Sequence, residues 1–239
     1  MIPIGDEIRG KIRPQIVVAL LILANIGVFI YQLSLAAEGS GALDRFFVSW
    51  GVIPQEIRAM QDIYSGIDAP IWVTVFSSMF IHGGWLHLGG NMLFLWVFGD
   101  NVEDAMGHVR FLIFYLLGGI GAVALQVAIA PDSTVPMVGA SGAISGVMAA
   151  YLLLFPGARV RVLVFLGIFV TIIALPALLV IGFWIVLQFL AGYAMLGPET
   201  SHSGGVAYWA HIGGFLTGVV LVWVFRDPRA VQRLRRARG

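Results

Sequence analysis

Residues 137–146 read MVGASGAISG and lead into an apolar run that ends at residue 155. A hydroxyl, Ser141, stands at the head of that run between Gly139 and Gly142, and Gly146 follows Gly142 at a spacing of four. Far down the chain the order repeats. His211 stands near the head of the run 206–225, and Gly214 and Gly218 follow it at the same spacing. In lipid, small residues four apart let two helix backbones approach closely. Two helices packed through these faces would carry Ser141 to within hydrogen-bond reach of His211.

Composition puts these runs in a membrane. Of 239 residues, 59% are hydrophobic and 11% charged, with a mean hydropathy of +0.92; a soluble domain carries roughly 25% charged residues. About 20 apolar residues cross a bilayer. Runs of that kind lie at 16–37, 83–99, 110–130, 138–155, 176–196 and 206–225. They predict an all-α integral membrane protein, a bundle of six transmembrane helices forming a single domain over 1–239. The first run has a basic front but exceeds the apolar core of a signal peptide, and is read as a retained helix. The segment 162–175 is short for a span and stops at Pro176, so it is expected to be interfacial or re-entrant. Pro176 then opens the next helix. The loop 38–73 carries Trp50, Pro54 and Trp72 and is expected to lie in the membrane interface.

Charge sets the orientation. Of the 14 Lys and Arg residues, only Arg45 and Arg58 fall on one side of the six-span arrangement. The positive-inside rule then places both termini in the cytoplasm. The arginine-rich tail after Phe225 is read either as resting on anionic headgroups or as a plain stop-transfer flank. A net charge of +1 gives no reason to invoke nucleic acid, and the absence of Cys excludes disulfides and thiolate chemistry.

Apart from Arg110 at the very start of the third, no Asp, Glu, Lys or Arg falls within the six runs, so four polar residues inside them stand out: His87, Asn91, Ser141 and His211. His87 and Asn91 are one helical turn apart and share a face. Helices two, four and six run in the same direction, and each carries its polar residues near the outer end. All four therefore lie at one depth. A serine becomes a nucleophile when a base takes its proton. The Ser141 amide, among the first of its helix and lacking an intrahelical partner, could help hold an oxyanion with Asn91 and His87. Each residue also has a structural reading: Ser bonding its own backbone, Asn joining helices, glycines serving packing alone. A metal site would draw on His82, His87, His202 and His211. The spacing of 82 and 87 misses the zinc-helix pattern, and no carboxylate joins them within the runs. No metal and no cofactor are expected.

These residues resemble the rhomboid intramembrane serine proteases, most closely the bacterial six-helix form. GASG at 139–142 is similar to the family's GxSG motif, AHIGGFLTG at 210–218 to AHxxGxxxG, and HGGWLHLGGN at 82–91 to HxxxxHxxxN. FGDNVEDAMG at 98–107 is similar to the loop after the second helix of many bacterial members. The resemblance extends over 16–225. It implies Ser141 as nucleophile, His211 as base, and His87, Asn91 and the Ser141 amide as holders of the oxyanion. His82, Gly139, Gly142, Gly214 and Gly218 would be supporting residues. It also implies membrane-protein substrates cut within transmembrane segments, an enzyme embedded in a bacterial-type inner membrane, and a site opening toward the outer face. Two departures stand out. Some members pair the acid matching Glu103 with an arginine of the first loop; here 71–74 reads IWVT, with no Trp-Arg pair. Some members carry an aromatic residue four positions after the nucleophile, against the histidine; here that position is Ser145. The alternatives are a rhomboid-like protein that binds membrane clients without cutting them, and a transporter whose helices are broken near Pro176.

Overall fold

The computed structural model describes residues 2–8, 12–39, 41–64, 70–167, 169–196 and 206–236. The chain opens with a strand, β1 (Ile2–Asp6), and a long helix, α1 (Ile16–Glu38). The first loop folds into α2 (Ala42–Trp50), α3 (Pro54–Ala59) and α4 (Val73–Ser77), with a short 3-10 turn at Ser78–Phe80. The bundle follows: α5 (Trp85–Met106), α6 (His108–Ile129), α7 (Ser141–Leu154), a hairpin of β2 (Arg159–Leu166) and β3 (Phe169–Pro176), α8 (Ala177–Ala194) and α9 (Tyr208–Phe225). A basic helix, α10 (Pro228–Arg236), ends it.

The architecture is an all-α membrane bundle. Helices α1, α6, α8 and α9 are long and apolar enough to cross a membrane. Two helices depart from that description. α5 runs past residue 99, where its apolar run stops, and carries Asp100, Glu103 and Asp104 in its last turns. α7 has 14 residues, about 21 Å at 1.5 Å per residue, against roughly 30 Å of hydrocarbon. It sits in the middle of the bundle, buried along almost its whole length, between α5, α6 and α9.

Small residues let α7 occupy that position. A Cβ on Gly214 would overlap the Gly142 carbonyl oxygen, and one on Gly218 would overlap that of Gly146. A Cβ on Gly146 would lie 3.0 Å from the Gly214 carbonyl oxygen. The two helices therefore touch backbone to backbone and run parallel, as their matched glycines require. Farther along α7, aromatic rings take over: Tyr151 meets Phe98 and Phe155 edge-on, and its hydroxyl donates to Asp6 at 2.6 Å.

The segment 162–175, expected to be interfacial or re-entrant, interrupts the helices of the bundle. It is a β-hairpin, and with β1 it makes a three-stranded antiparallel sheet in the order β1-β2-β3. Leu166 pairs with Phe169, and Gly167 turns the chain at φ +64°. The run is rich in Val, Ile and Phe, which suit a pleated surface better than a helix. Phe165, Phe169, Val170 and Ile172 remain exposed on it.

Glu103 also differs from what the resemblance implies. Among the described residues its partners are backbone amides and a histidine, with no arginine of the first loop. Its carboxylate, 1% exposed, accepts the amides of Val17 and Val18 at 2.9 and 2.8 Å and contacts His108 Nδ1 at 2.6 Å. Those are first-turn amides of α1, which has no side-chain cap of its own. Glu103 thus satisfies them from another helix, with its charge facing the positive end of α1. Asp104 does the same for the lead-in segment, accepting the amides of Ile12 and Arg13. At the other end of the chain Asp227 caps α10 through the amides of Arg229 and Ala230. The Ala230 amide, then that of Arg229 and the Arg13 guanidinium, hold the Asp227 carboxyl below its ordinary range.

The first loop is tied to the approach to α7. Val52 and Met137 exchange backbone hydrogen bonds, and the Gln55 amide donates to Ser133 O. Buried Glu56 holds the loop's return through the amides of Ile63 and Tyr64.

The glycine contact makes a testable prediction. Gly214→Ala should lower the thermal midpoint of the purified protein in detergent sharply. Gly182→Ala, on an α8 position with nothing within 4 Å, should leave it unchanged or raise it, as Ala favours a helix by about 1 kcal/mol over Gly. Equal midpoints for the two variants would contradict the packing described.

Candidate active site

Ser141 is the first residue of α7. The chain reaches it through Gly139 at φ +126°, a conformation that L side chains rarely adopt. The Gly139 amide donates to Ser78 O at 2.8 Å, so the turn is pinned to the end of the first loop. A Cβ at Gly139 would also lie 2.7 Å from His87 Nε2. Glycine is thus needed there twice, for the turn and for the histidine.

The Ser141 hydroxyl lies 2.8 Å from His211 Nε2. His211 is in the first turns of α9 and is buried. Its second nitrogen, Nδ1, lies 2.8 Å from Gln188 Oε1 on α8. The Trp184 ring, one turn before Gln188, lies over the imidazole at 5.6 Å between centroids and a tilt of 35°. Tyr208 meets the imidazole edge-on at 6.5 Å. Ser145, in the position where an aromatic residue could have held the ring, instead donates to Ser141 O at 2.6 Å.

His87 and Asn91 line the same cavity as Ser141 and His211, a space of about 1000 Å³. The Gly83 amide donates to His87 Nδ1 at 3.2 Å. A neutral imidazole that accepts at Nδ1 carries its proton on Nε2. That nitrogen faces Gly139 and is a donor. The Asn91 side-chain nitrogen is buried and has no hydrogen-bond partner among the described residues. It too lies beside Gly139, 3.6 Å from where a Cβ would stand. Two N–H donors thus converge next to the turn that precedes Ser141, and an acceptor arriving there would satisfy both. The Ser141 amide, at the head of α7, has no carbonyl one turn earlier in its own helix.

His82 lies behind this cluster, fully buried, its ring edge-on to His87 at 5.0 Å. Gln32 of α1 holds its backbone on both sides, donating to His82 O at 2.7 Å and accepting its amide at 3.0 Å. Gly142, Gly214 and Gly218 form the helix contact described above. Among the described residues no group of three or more His, Asp or Glu residues is placed to hold a metal ion. His202, counted with His82, His87 and His211 as a possible ligand, lies outside the described residues.

Reading of the sequence overlooked Gln188 and Trp184. A signal was available. Gln188 is the one amide side chain in an otherwise apolar α8, and a polar group in such a setting has a partner to serve. Trp184 precedes it by one turn, on the same face.

Comparison with known proteins points to one family. The Rhomboid domain model matches residues 70–228, more than half of the chain. The chain is 28% identical over 210 residues to Rhomboid-like protein 11, chloroplastic, of Arabidopsis thaliana, covering 85% of this chain and 63% of that protein. It is 31% identical over 169 residues to Rhomboid protein 1, mitochondrial, of Saccharomyces cerevisiae, covering 69% of this chain and 45% of that protein. It is 34% identical over 152 residues to Rhomboid protease GluP of Bacillus subtilis, covering 63% of this chain and 26% of that protein. The match thus spans less than two thirds of each of these relatives. On the domain match, and with helices that cross a membrane around the Ser141–His211 pair, the chain belongs to the rhomboid family.

Proposed function

We propose that this protein is an intramembrane serine endopeptidase that cleaves transmembrane segments of other membrane proteins, with Ser141 as nucleophile and His211 as base. The observation that carries this reading is the 2.8 Å contact between the Ser141 hydroxyl and His211 Nε2 inside a cavity. The name of one relative, Rhomboid protease GluP, agrees with it.

The steps follow from the positions of the groups. Ser141 Oγ attacks the carbonyl carbon of the scissile peptide as its proton passes to His211 Nε2. The carbonyl π pair moves to oxygen. The resulting oxyanion is held by His87 Nε2–H, the Asn91 amide and the Ser141 backbone N–H. Collapse breaks the C–N bond, and the leaving amine takes the proton from His211. A water then attacks the acyl-enzyme while giving His211 a proton, and collapse returns that proton to Ser141 Oγ. No carboxylate is required in this sequence of steps, and the reading needs no cofactor or metal.

The orientation belongs to the same proposal. Both termini face the cytoplasm, and the cavity opens toward the outer face of the membrane. Ser141 and His211 each stand at the N-terminal end of their helix, so α7 and α9 run the same way. That requires an odd number of crossings between them. A hairpin returning to its own side, followed by α8 as one crossing, supplies it. The bilayer is that of a bacterial-type inner membrane in this reading.

Three experiments test the proposal. Ser141→Ala and His211→Ala should each abolish cleavage and covalent labelling by a serine-directed fluorophosphonate, with folding intact. The double variant should lose no more than either single one, because members of one catalytic unit are not additive. Cleavage persisting in purified Ser141→Ala would end the reading of Ser141 as nucleophile, whereas wild-type protein that neither cleaves nor labels would leave the client-binding alternative.

Asn91→Ala and His87→Ala should lower kcat by about 10²–10³, the usual cost of an oxyanion donor, with little change in KM. A rise in KM at constant kcat would make them substrate-binding residues instead.

Single cysteines in this Cys-free chain test the orientation. An impermeant thiol reagent applied from outside should label a cysteine replacing Ser203 and spare one replacing Gly157. The reverse pattern would overturn the orientation.

A further inference from the structure

We infer that Gln188 is a positioning residue that fixes the tautomer of His211, with Trp184 holding the plane of the ring. The inference rests on the Ser141–His211 reading and adds the group that keeps the base in its working form.

A neutral histidine has one N–H and one lone pair, and which nitrogen carries which is set by the partner of the other. To accept a proton from Ser141, His211 needs its lone pair on Nε2 and its hydrogen on Nδ1. Nδ1 faces Gln188 Oε1 at 2.8 Å. A carbonyl oxygen can only accept, so this contact requires Nδ1–H. With nothing to accept at Nδ1, the ring is free to carry its hydrogen on Nε2, where it would donate to Ser141 and could not take its proton.

An amide side chain can present either end, so its own orientation needs a cause. The Gln188 nitrogen donates to the Trp184 backbone carbonyl at 3.3 Å. Turning the amide over would set two oxygens against each other at that contact and place an N–H against Nδ1–H. The Trp184 carbonyl thus orients Gln188, and Gln188 orients His211. Both side chains of the amide–imidazole pair are more than nine-tenths buried, so water does not compete for the contact. Trp184 adds the second restraint, its ring 5.6 Å from the imidazole. Residues 184 and 188 stand one turn apart, and α8 therefore presents them as a unit to α9. With Ser145 turned to the backbone, this pair takes over the role of an aromatic residue on α7.

The test uses the full chain in proteoliposomes, with 15N-labelled histidine. Gln188→Met keeps the size and removes the acceptor; Gln188→Glu keeps an acceptor. In the wild-type protein the 15N shifts of His211 should report Nδ1–H. In Gln188→Met they should report Nε2–H, while fluorophosphonate labelling of Ser141 and kcat fall about 100-fold or more at nearly constant KM; a wrong-tautomer histidine in a serine protease costs up to about 10⁴. Gln188→Glu should keep Nδ1–H and recover labelling to within about tenfold of wild type, since it restores the acceptor. Thermal midpoints of all three should agree, which separates positioning from unfolding. Nδ1–H retained in Gln188→Met, or labelling there within threefold of wild type, overturns the inference. Should Gln188→Met fail to fold, Nε2–H in folded Gln188→Glu, or its failure to label Ser141, overturns it equally. Wild-type protein that shows Nδ1–H but is not labelled at Ser141 would defeat the dyad reading, and the two failures are distinguishable.

Discussion

The contact of two glycine pairs governs this structure. Gly142 and Gly146 of α7 meet Gly214 and Gly218 of α9 without any side chain between them. Lipid offers no hydrophobic force to drive helices together, so association depends on how closely they fit. The closest fit available is backbone against backbone. It also fixes register. Gly214 meets Gly142 and Gly218 meets Gly146, so the residues just before each pair are set side by side. Ser141 precedes one pair and His211 the other. The 2.8 Å between the Ser141 hydroxyl and His211 Nε2 thus starts from main-chain packing, and the rotamers of the two side chains complete it.

Around that pair, helices are finished by groups borrowed from elsewhere. α1 has no capping side chain at its start; Glu103 of α5 supplies one. Farther along, Gln32 of α1 returns the favour by bonding the backbone on both sides of His82, just before α5 begins. The two helices are clasped at both ends by polar groups that would otherwise be buried without partners. The clasp near the site keeps α5 in place, and α5 carries His87 and Asn91. In a bundle with few charges, buried polar groups such as Glu103 and Gln32 join two elements, and satisfying them aligns those elements.

The sequence made the pairing of Ser141 with His211 legible because each lies beside a glycine repeat, and the repeat encodes close approach. His87 and Asn91 were legible from their one-turn spacing. Glu103 was singled out by the resemblance, but its partners were not legible: backbone amides have no identity in a sequence, and the resemblance pointed to an arginine. The hairpin was hidden because β-branched residues that suit a strand also suit a helix in lipid, and residues 162–175 are apolar but for Thr171. Gln188 was passed over because it stands alone. Its partner is 23 positions away on the next helix, and only the packing of α8 on α9 brings them together.

The cavity has a consequence for water. At about 30 Å³ per molecule, a space of about 1000 Å³ has room for roughly thirty waters. Its walls are largely apolar, and among them Gln126, Asp132 and Ser133, with His87, Asn91 and Ser141, offer water polar partners. The hydroxyl that opens a short, buried helix therefore faces a space wide enough to admit water. On the proposed reading of Ser141 as nucleophile, the shape of the bundle admits the water that releases an acyl group, at a depth where lipid alone would exclude it.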